Sequence, residues 1–164
     1  MGIDYANLFQ NIPHELAVLL IATLPIAELR AAIPIGLEVF SLPWLDVVIL
    51  SIVGNLIPVV FLIWLLEPIS RWLRRHSRMM DKFFHWLFTR TRRKNISRFE
   101  RWGALALIAF VAIPLPITGG WTGTVAAFVF GVPRKLALAL ISVGVLIASI
   151  IVTITTIGLS ALLS

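Results

Sequence analysis

Two short stretches of this chain carry polar groups that could do chemistry within otherwise apolar sequence. The first, residues 24–36, holds the carboxylate of Glu28 and the guanidinium of Arg30 two residues apart, with prolines on both sides. An ionised carboxylate is costly inside a membrane, so a carboxyl group there is suited to taking up and releasing a proton. Glu28 is therefore the candidate for proton coupling. The alternative is a structural pair with Arg30 that holds the stretch together.

The second stretch, residues 114–124, is rich in proline, glycine and threonine. Free backbone amides and hydroxyls at a break in a membrane helix coordinate ions and polar groups, but small residues also permit close helix packing. The prolines of both stretches act as helix breakers. The candidate pathway residues of the two stretches, besides Glu28 and Arg30, are Pro34, Pro114, Pro116, Thr118, Gly119, Gly120 and Thr122.

Arg30 cannot lose its charge and must therefore find an acceptor or an anion. Positions two apart point to different sides of a regular helix, so Arg30 need not pair with Glu28. Two partners remain open: an anionic lipid headgroup, or the carbonyl groups of the second stretch.

The elements that must position these groups are membrane helices. The chain is 59% hydrophobic and 13% charged, with a mean hydropathy of +0.97, whereas soluble domains are about half apolar and a quarter charged. This composition predicts an all-α, multi-pass integral membrane protein with one domain over residues 1–164. There is no cysteine, so disulfides and thiolate sites are excluded.

The apolar runs have two lengths. Residues 16–27 and 104–117 are too short to cross a hydrocarbon core of about 30 Å, which needs about 20 helical residues, and each ends at one of the polar stretches. Residues 47–66 and 136–163 are long enough for full spans. Asn55 lies inside the first span, where we expect it to bond a broken helix, and it is also a candidate pathway residue.

Residues 69–101 carry eleven of the 14 Lys and Arg residues against Asp81 and Glu100. Apolar residues recur among them at three- and four-residue steps, which predicts a basic amphipathic helix at the membrane surface. Between two apolar halves, such a segment favours the cytoplasmic face of a prokaryotic plasma membrane rather than a nucleic-acid partner. The expected lipid-surface residues are Arg74, Arg75, Arg78, Arg92, Arg93 and Lys94.

The two halves of the chain resemble each other. Residues 40–43 parallel residues 130–133 at an offset of 90, and Gly54 parallels Gly144. Positive residues that flank membrane segments lie on the cytoplasmic side. Applied here, this rule predicts an inverted repeat over residues 14–67 and 103–163, each half being a re-entrant hairpin plus a span. The first hairpin then enters from outside and the second from inside. The competing interpretation treats each hairpin as two thin crossings or one long tilted span.

Residues 28–36 and 114–119 resemble the two signature stretches of the small multidrug export protein family, over roughly residues 15–160. That family in turn looks related to the DedA/VTT superfamily. The resemblance implies opposed re-entrant hairpins, proton-dependent transport, and movement of lipid carriers such as undecaprenyl phosphate, with acidic residues in the first hairpin and arginines in the second. Glu28 matches this pattern, whereas the second stretch has no arginine.

Together these features predict a small, proton-coupled transporter or exporter that moves a small molecule or lipid-linked substrate. The alternatives are a DedA-like lipid-carrier flippase or scramblase, a non-transporting scaffold whose basic helix binds lipid, and a drug antiporter of four simple spans. We expect membrane lipids and a second copy of the chain as partners. The sequence has no phosphate-binding glycine loop, nucleophile constellation or clustered histidines, so no enzyme, cofactor or metal site is predicted.

Overall fold

The computed structural model describes residues 12–79, 81–82, 85–86, 102–115 and 118–163. Every regular element in these ranges is helical, as the sequence predicted. The fold is built from α1 (His14–Thr23), α2 (Glu28–Pro34) with a following π-helical turn (Ile35–Val39), α3 (Trp44–His76), α4 (Ala104–Ala112), α5 (Gly120–Phe130) and α6 (Arg134–Leu163).

Helices α3 and α6 are both long and apolar enough to cross a membrane. Large apolar side chains on them point away from the protein and are mostly uncovered, among them Phe61, Trp64, Ile150 and Ile154. A soluble protein rarely exposes apolar surface on this scale, because water would have to hydrate it. These outward faces indicate contact with lipid and therefore a membrane protein.

Helix α3 is longer than the sequence predicted. The predicted span ends at Leu66 and a separate amphipathic helix follows from Ile69, but α3 continues through Pro68 to His76. Proline removes one backbone donor and usually kinks a helix, yet the residues on both sides keep helical conformation, so this single loss does not end it. The first part of the basic segment is thus a direct extension of the long helix. Residues 87–101 lie outside the described residues.

The short helices form two hairpins, α1 with α2 and α4 with α5. Helices of seven to eleven residues are about 10–17 Å long, which is about half of a hydrocarbon core. In the first hairpin the ring of His14 stacks on that of Phe40, with centroids 4.5 Å apart, so the two ends of this hairpin lie together. The first hairpin packs mainly on α3 through α1, and the second packs mainly on α6 through α4.

Each long helix approaches its own hairpin through a glycine. A methyl group on Gly54 of α3 would overlap the backbone carbonyl of Leu19, and one on Gly144 of α6 would lie 3.1 Å from the carbonyl oxygen of Ile108. Because glycine has no side chain, the helix backbones come close enough to pack tightly. The two glycines are related by the same offset of 90 that relates the halves in sequence, and their partners Leu19 and Ile108 lie 89 residues apart.

The buried faces of α3 and α6 follow the same offset. The turns before them also match, since Ser41 and Gly131 both have left-handed backbone, with φ of 50° and 72°. This correspondence extends the sequence resemblance of the halves to their packing. The buried positions in common are Val47, Ser51, Gly54, Asn55, Pro58, Val59 and Ile63 on α3, and Ala137, Ile141, Gly144, Val145, Ala148, Ser149 and Thr153 on α6.

Candidate functional site

Glu28 lies at the break between α1 and α2. Its φ is 48°, a left-handed conformation that residues with side chains adopt at a cost of about 1–2 kcal/mol. Only 4% of the residue is exposed. One carboxylate oxygen, Oε1, accepts a hydrogen bond of 3.3 Å from the backbone N–H of Trp121, in the first turn of α5. The carboxylate of the first hairpin thus lies at the positive end of a helix in the second.

Two glycines at the start of α5 pack against the side chains of Glu28 and Asn55. A side chain on Gly119, whose φ is 155°, would overlap the Glu28 carboxyl group. A methyl group on Gly120 would lie 2.5 Å from Oδ1 of Asn55. Glycine is therefore required at both positions for Glu28 and Asn55 to approach the start of α5.

The second stretch is more helical than expected. We predicted that residues 118–124 form an irregular tip, but α5 begins at Gly120, so Thr122 and Thr124 lie in its first turns. Their hydroxyl groups donate to the carbonyls of Gly119 and Gly120, at 3.4 and 2.7 Å. Each hydroxyl thus bonds a backbone carbonyl three or four residues earlier, a pattern that threonine often adopts in helices.

Arg30 joins the first hairpin to the end of α4. Its guanidinium donates to the carbonyls of Leu115 and Ile113, the latter at 3.2 Å, and to the hydroxyl of Thr118 at 3.0 Å. Helix α4 ends at Ala112, so these carbonyls lie just beyond its carboxyl end and are not used in helical hydrogen bonds. The Thr118 hydroxyl also donates to both of them. Of the two partners left open by the sequence, Arg30 takes the carbonyls of the second stretch. No ion pair joins it to Glu28 in the described structure.

Trp121 forms a second link between the hairpins that the predicted pathway residues did not include. Its indole N–H donates to the carbonyl of Thr23, the last residue of α1, at 3.2 Å. A lone indole donor beside a break in apolar sequence was the available signal, because a buried tryptophan N–H needs an acceptor.

Two buried polar side chains of α3 extend from this site. Asn55 and Ser51 are one helical turn apart and fully buried, and Asn55 lies beside the Glu28 carboxyl group. Within the described residues, no hydrogen bond of standard geometry reaches either side chain or Oε2 of Glu28, although the Asn55 amide is close enough to the Glu28 carboxyl group to interact with it. Sequence reasoning missed Ser51, because nothing in its neighbours reveals that it is buried on the same face as Asn55.

The remaining predicted residues lie apart from this cluster or beyond the described structure. Pro34 lies inside α2 where the π-helical turn begins, and Pro114 lies in the exposed link after α4. Arg74, Arg75 and Arg78 are exposed. No group of His, Asp or Glu side chains in the described ranges is arranged to hold a metal ion. Pro116, Arg92, Arg93 and Lys94 are outside the described residues.

The fold and the site together define a small α-helical membrane protein in which two short hairpins meet at a buried carboxyl group. Residues 28–151 match the model of the family described as "Putative small multi-drug export protein", and the chain belongs to this family. The match begins at Glu28 inside the first polar stretch, contains all of the second and ends in α6. No curated protein and no solved structure matches the chain.

Proposed function

We propose that this chain is a small exporter of the prokaryotic plasma membrane that couples transport to protons through Glu28. The observation that supports it is the buried carboxyl group of Glu28 at the start of α5, where the two hairpins meet. A carboxyl group in such a position, inside a membrane protein, is by default a candidate for a proton or ion pathway.

The two oxygens of the carboxyl group have different surroundings. Oε1 accepts the Trp121 N–H, whereas Oε2 is buried without a partner beside Asn55. Oε2 is therefore the oxygen to which we assign the exchangeable proton. Asn55 and Ser51 continue the polar surface along α3, and buried polar groups without protein partners are sites where water can bind and relay a proton.

We further propose that the hairpins are re-entrant and enter from opposite faces. Each hairpin helix is about half as long as the core is thick. Gly120 approaches Asn55, which lies eleven residues into α3 and therefore about 17 Å from its start, near the middle of a span. Positive residues occur at the end of α3 and at the start of α6. They favour a cytoplasmic position for both of these helix ends.

A DedA-like lipid-carrier flippase is the alternative that the resemblance suggests. Such a protein needs a cation free to bind a phosphate at the tips. Arg30 is the arginine at this site, and its two terminal amino groups already bond two carbonyls and one hydroxyl of the second hairpin, while its buried Nε has no partner among the described residues. This bonding favours a structural clamp, so we prefer the exporter.

The decisive experiment is transport in proteoliposomes that carry an imposed pH gradient, with ethidium as the probe. We expect Glu28→Gln, which keeps the shape but cannot lose a proton, to reduce gradient-driven ethidium movement to the level of empty vesicles. The matched control is Glu15→Gln, which neutralises an exposed carboxylate at the start of α1 and should leave the rate unchanged.

Proton coupling is wrong if Glu28→Gln transports ethidium at full rate with the pH dependence of the parent chain. A scaffold predicts a different pattern. It would tolerate Glu28→Gln and lose lipid or partner recruitment when Arg74, Arg75, Arg92 and Arg93 are neutralised together.

A further inference from the structure

A basic cavity of about 400 Å³ lies between α3, α5 and α6, away from the hairpin contact. Arg71, Arg74 and Arg134 line it together with one carboxylate, Glu67, so the charged lining is positive on balance. Ile63 and Phe128 contribute apolar wall. The cavity lies beside the last turns of α3, which are part of the basic segment, and beside the first residues of α6. Its occupant should therefore carry negative charge and have an apolar portion.

The three arginines are not equally engaged. Arg134 forms an ion pair with Glu67, and its guanidinium lies 5.1 Å from the ring centroid of Trp64. Arg74 pairs with Asp81 at 3.0 Å. Arg71 has no ion pair within the described part of the chain. Its guanidinium can therefore donate hydrogen bonds to an anionic ligand.

The start of α6 adds to the positive potential of this cavity. Pro133 and Arg134 line it, and the first backbone N–H groups of a helix lack intrahelical acceptors. Helix N-termini and planar guanidinium groups are both suited to phosphate oxygens. The anion that fits this combination is a phosphate group.

A second, apolar cavity of about 370 Å³ adjoins the first and shares Ile63, Pro133 and Arg134 with it. Trp64, Lys135 and Leu138 complete its walls. A free phosphate ion would not occupy an apolar cavity, whereas a lipid acyl chain would fill it and bury apolar surface. We infer that the paired cavities bind one anionic phospholipid, with its phosphate at Arg71 and Arg134 and an acyl chain against Trp64 and Leu138. This inference does not depend on the proposed function.

The test is binding of phosphatidylglycerol to the purified full chain in a neutral detergent, followed by native mass spectrometry across a lipid titration. We expect Arg71→Gln to weaken binding by about tenfold, which corresponds to one charge-assisted hydrogen bond. Lys82→Gln is the charge-matched control, because Lys82 is an exposed basic residue of the same segment, lines neither cavity of the pair and is not among the expected lipid-surface residues. It should bind like the parent chain.

Two further variants separate binding from folding. Glu67→Gln releases Arg134 from its ion pair and should strengthen phosphatidylglycerol binding, a gain that an unfolded protein cannot give. Leu138→Gln places an amide in the apolar cavity and should weaken lipid binding.

Three results would overturn the inference. Equal losses in Arg71→Gln and Lys82→Gln would assign binding to the basic surface as a whole. Phosphatidylcholine binding as tightly as phosphatidylglycerol would exclude recognition of net negative charge. Inorganic phosphate displacing the lipid at equal concentration would make the site one for the free anion.

Discussion

The two halves of this protein share a packing plan and differ in chemistry. Helices α3 and α6 bury the same positions at an offset of 90, yet α3 has Ser51 and Asn55 where α6 has Ile141 and Val145. The first hairpin supplies the charged groups of Glu28 and Arg30, and the second supplies backbone amides and carbonyls that receive them. The comparison shows that similar halves can keep one shape while each contributes what the other lacks.

The largest effect is expected from side-specific labelling, because its outcome is all or none. The chain has no cysteine, so single cysteines can be placed at the ends of each hairpin. If the halves are inverted, an impermeant maleimide should reach Glu15→Cys and Val39→Cys only from outside, and Trp102→Cys and Phe130→Cys only from inside. All four positions are exposed in the structure.

Labelling of Glu15→Cys and Val39→Cys from opposite faces would contradict the inverted arrangement of the two halves. The first hairpin would then cross the membrane, and the halves would differ in topology as well as chemistry. The parent chain, which cannot react, is the control for background labelling.

Gly119→Ala should give the next largest effect. The added methyl group would overlap the Glu28 carboxyl group, and the backbone has a φ of 155° that alanine rarely adopts. Overpacking and backbone strain together should lower the free energy of unfolding by about 3 kcal/mol. Denaturant-induced unfolding in detergent micelles, followed by circular dichroism, measures this loss.

The control for Gly119→Ala is Gly158→Ala in α6, where nothing lies within 4 Å of an added methyl group. This change should stabilise the protein by about 0.5–1 kcal/mol through helix propensity alone. If both variants unfold like the parent chain, the contact between Glu28 and Gly119 is not as close as the structure has it.

The smallest effect tests the shared packing itself. Gly54→Ala and Gly144→Ala should each destabilise by about 1–3 kcal/mol, because both methyl groups meet the first helix of their own hairpin. The loss should be larger for Gly54→Ala, since the backbone carbonyl of Leu19 is closer to it than that of Ile108 is to Gly144. The same unfolding assay compares them, and a loss in one variant alone would show that the halves do not pack alike.

Much of this arrangement could be predicted from local sequence. Apolar runs that are too short to span, each followed by prolines or glycines, predicted that both halves contain a break, at the ends of residues 16–27 and 104–117. The helices in fact end four and five residues earlier, at Thr23 and Ala112. The permanent charge of Arg30 required strong acceptors, so the carbonyls of the second stretch were among its expected partners. These predictions rest on properties that residues keep in any fold, such as charge, size and backbone freedom.

Other features depended on packing and could not be predicted. Nothing local shows that Ser51 is buried, because its neighbours along α3 include both covered and lipid-facing residues. The start of α5 at Gly120 was missed because glycine and threonine are weak helix formers, whereas contacts with α3 and α6 stabilise this helix. Likewise, the continuation of α3 through Pro68 contradicts the usual effect of proline.

Trp121 links two helices of the first hairpin at once. Its backbone N–H bonds the first residue of α2 and its indole bonds the last residue of α1. A movement that withdraws α5 from the site therefore breaks both bonds in the same step and frees the carbonyl of Thr23 together with the carboxylate of Glu28. Contact between the hairpins is for this reason cooperative, and exposure of Glu28 is tied to release of the α1 terminus.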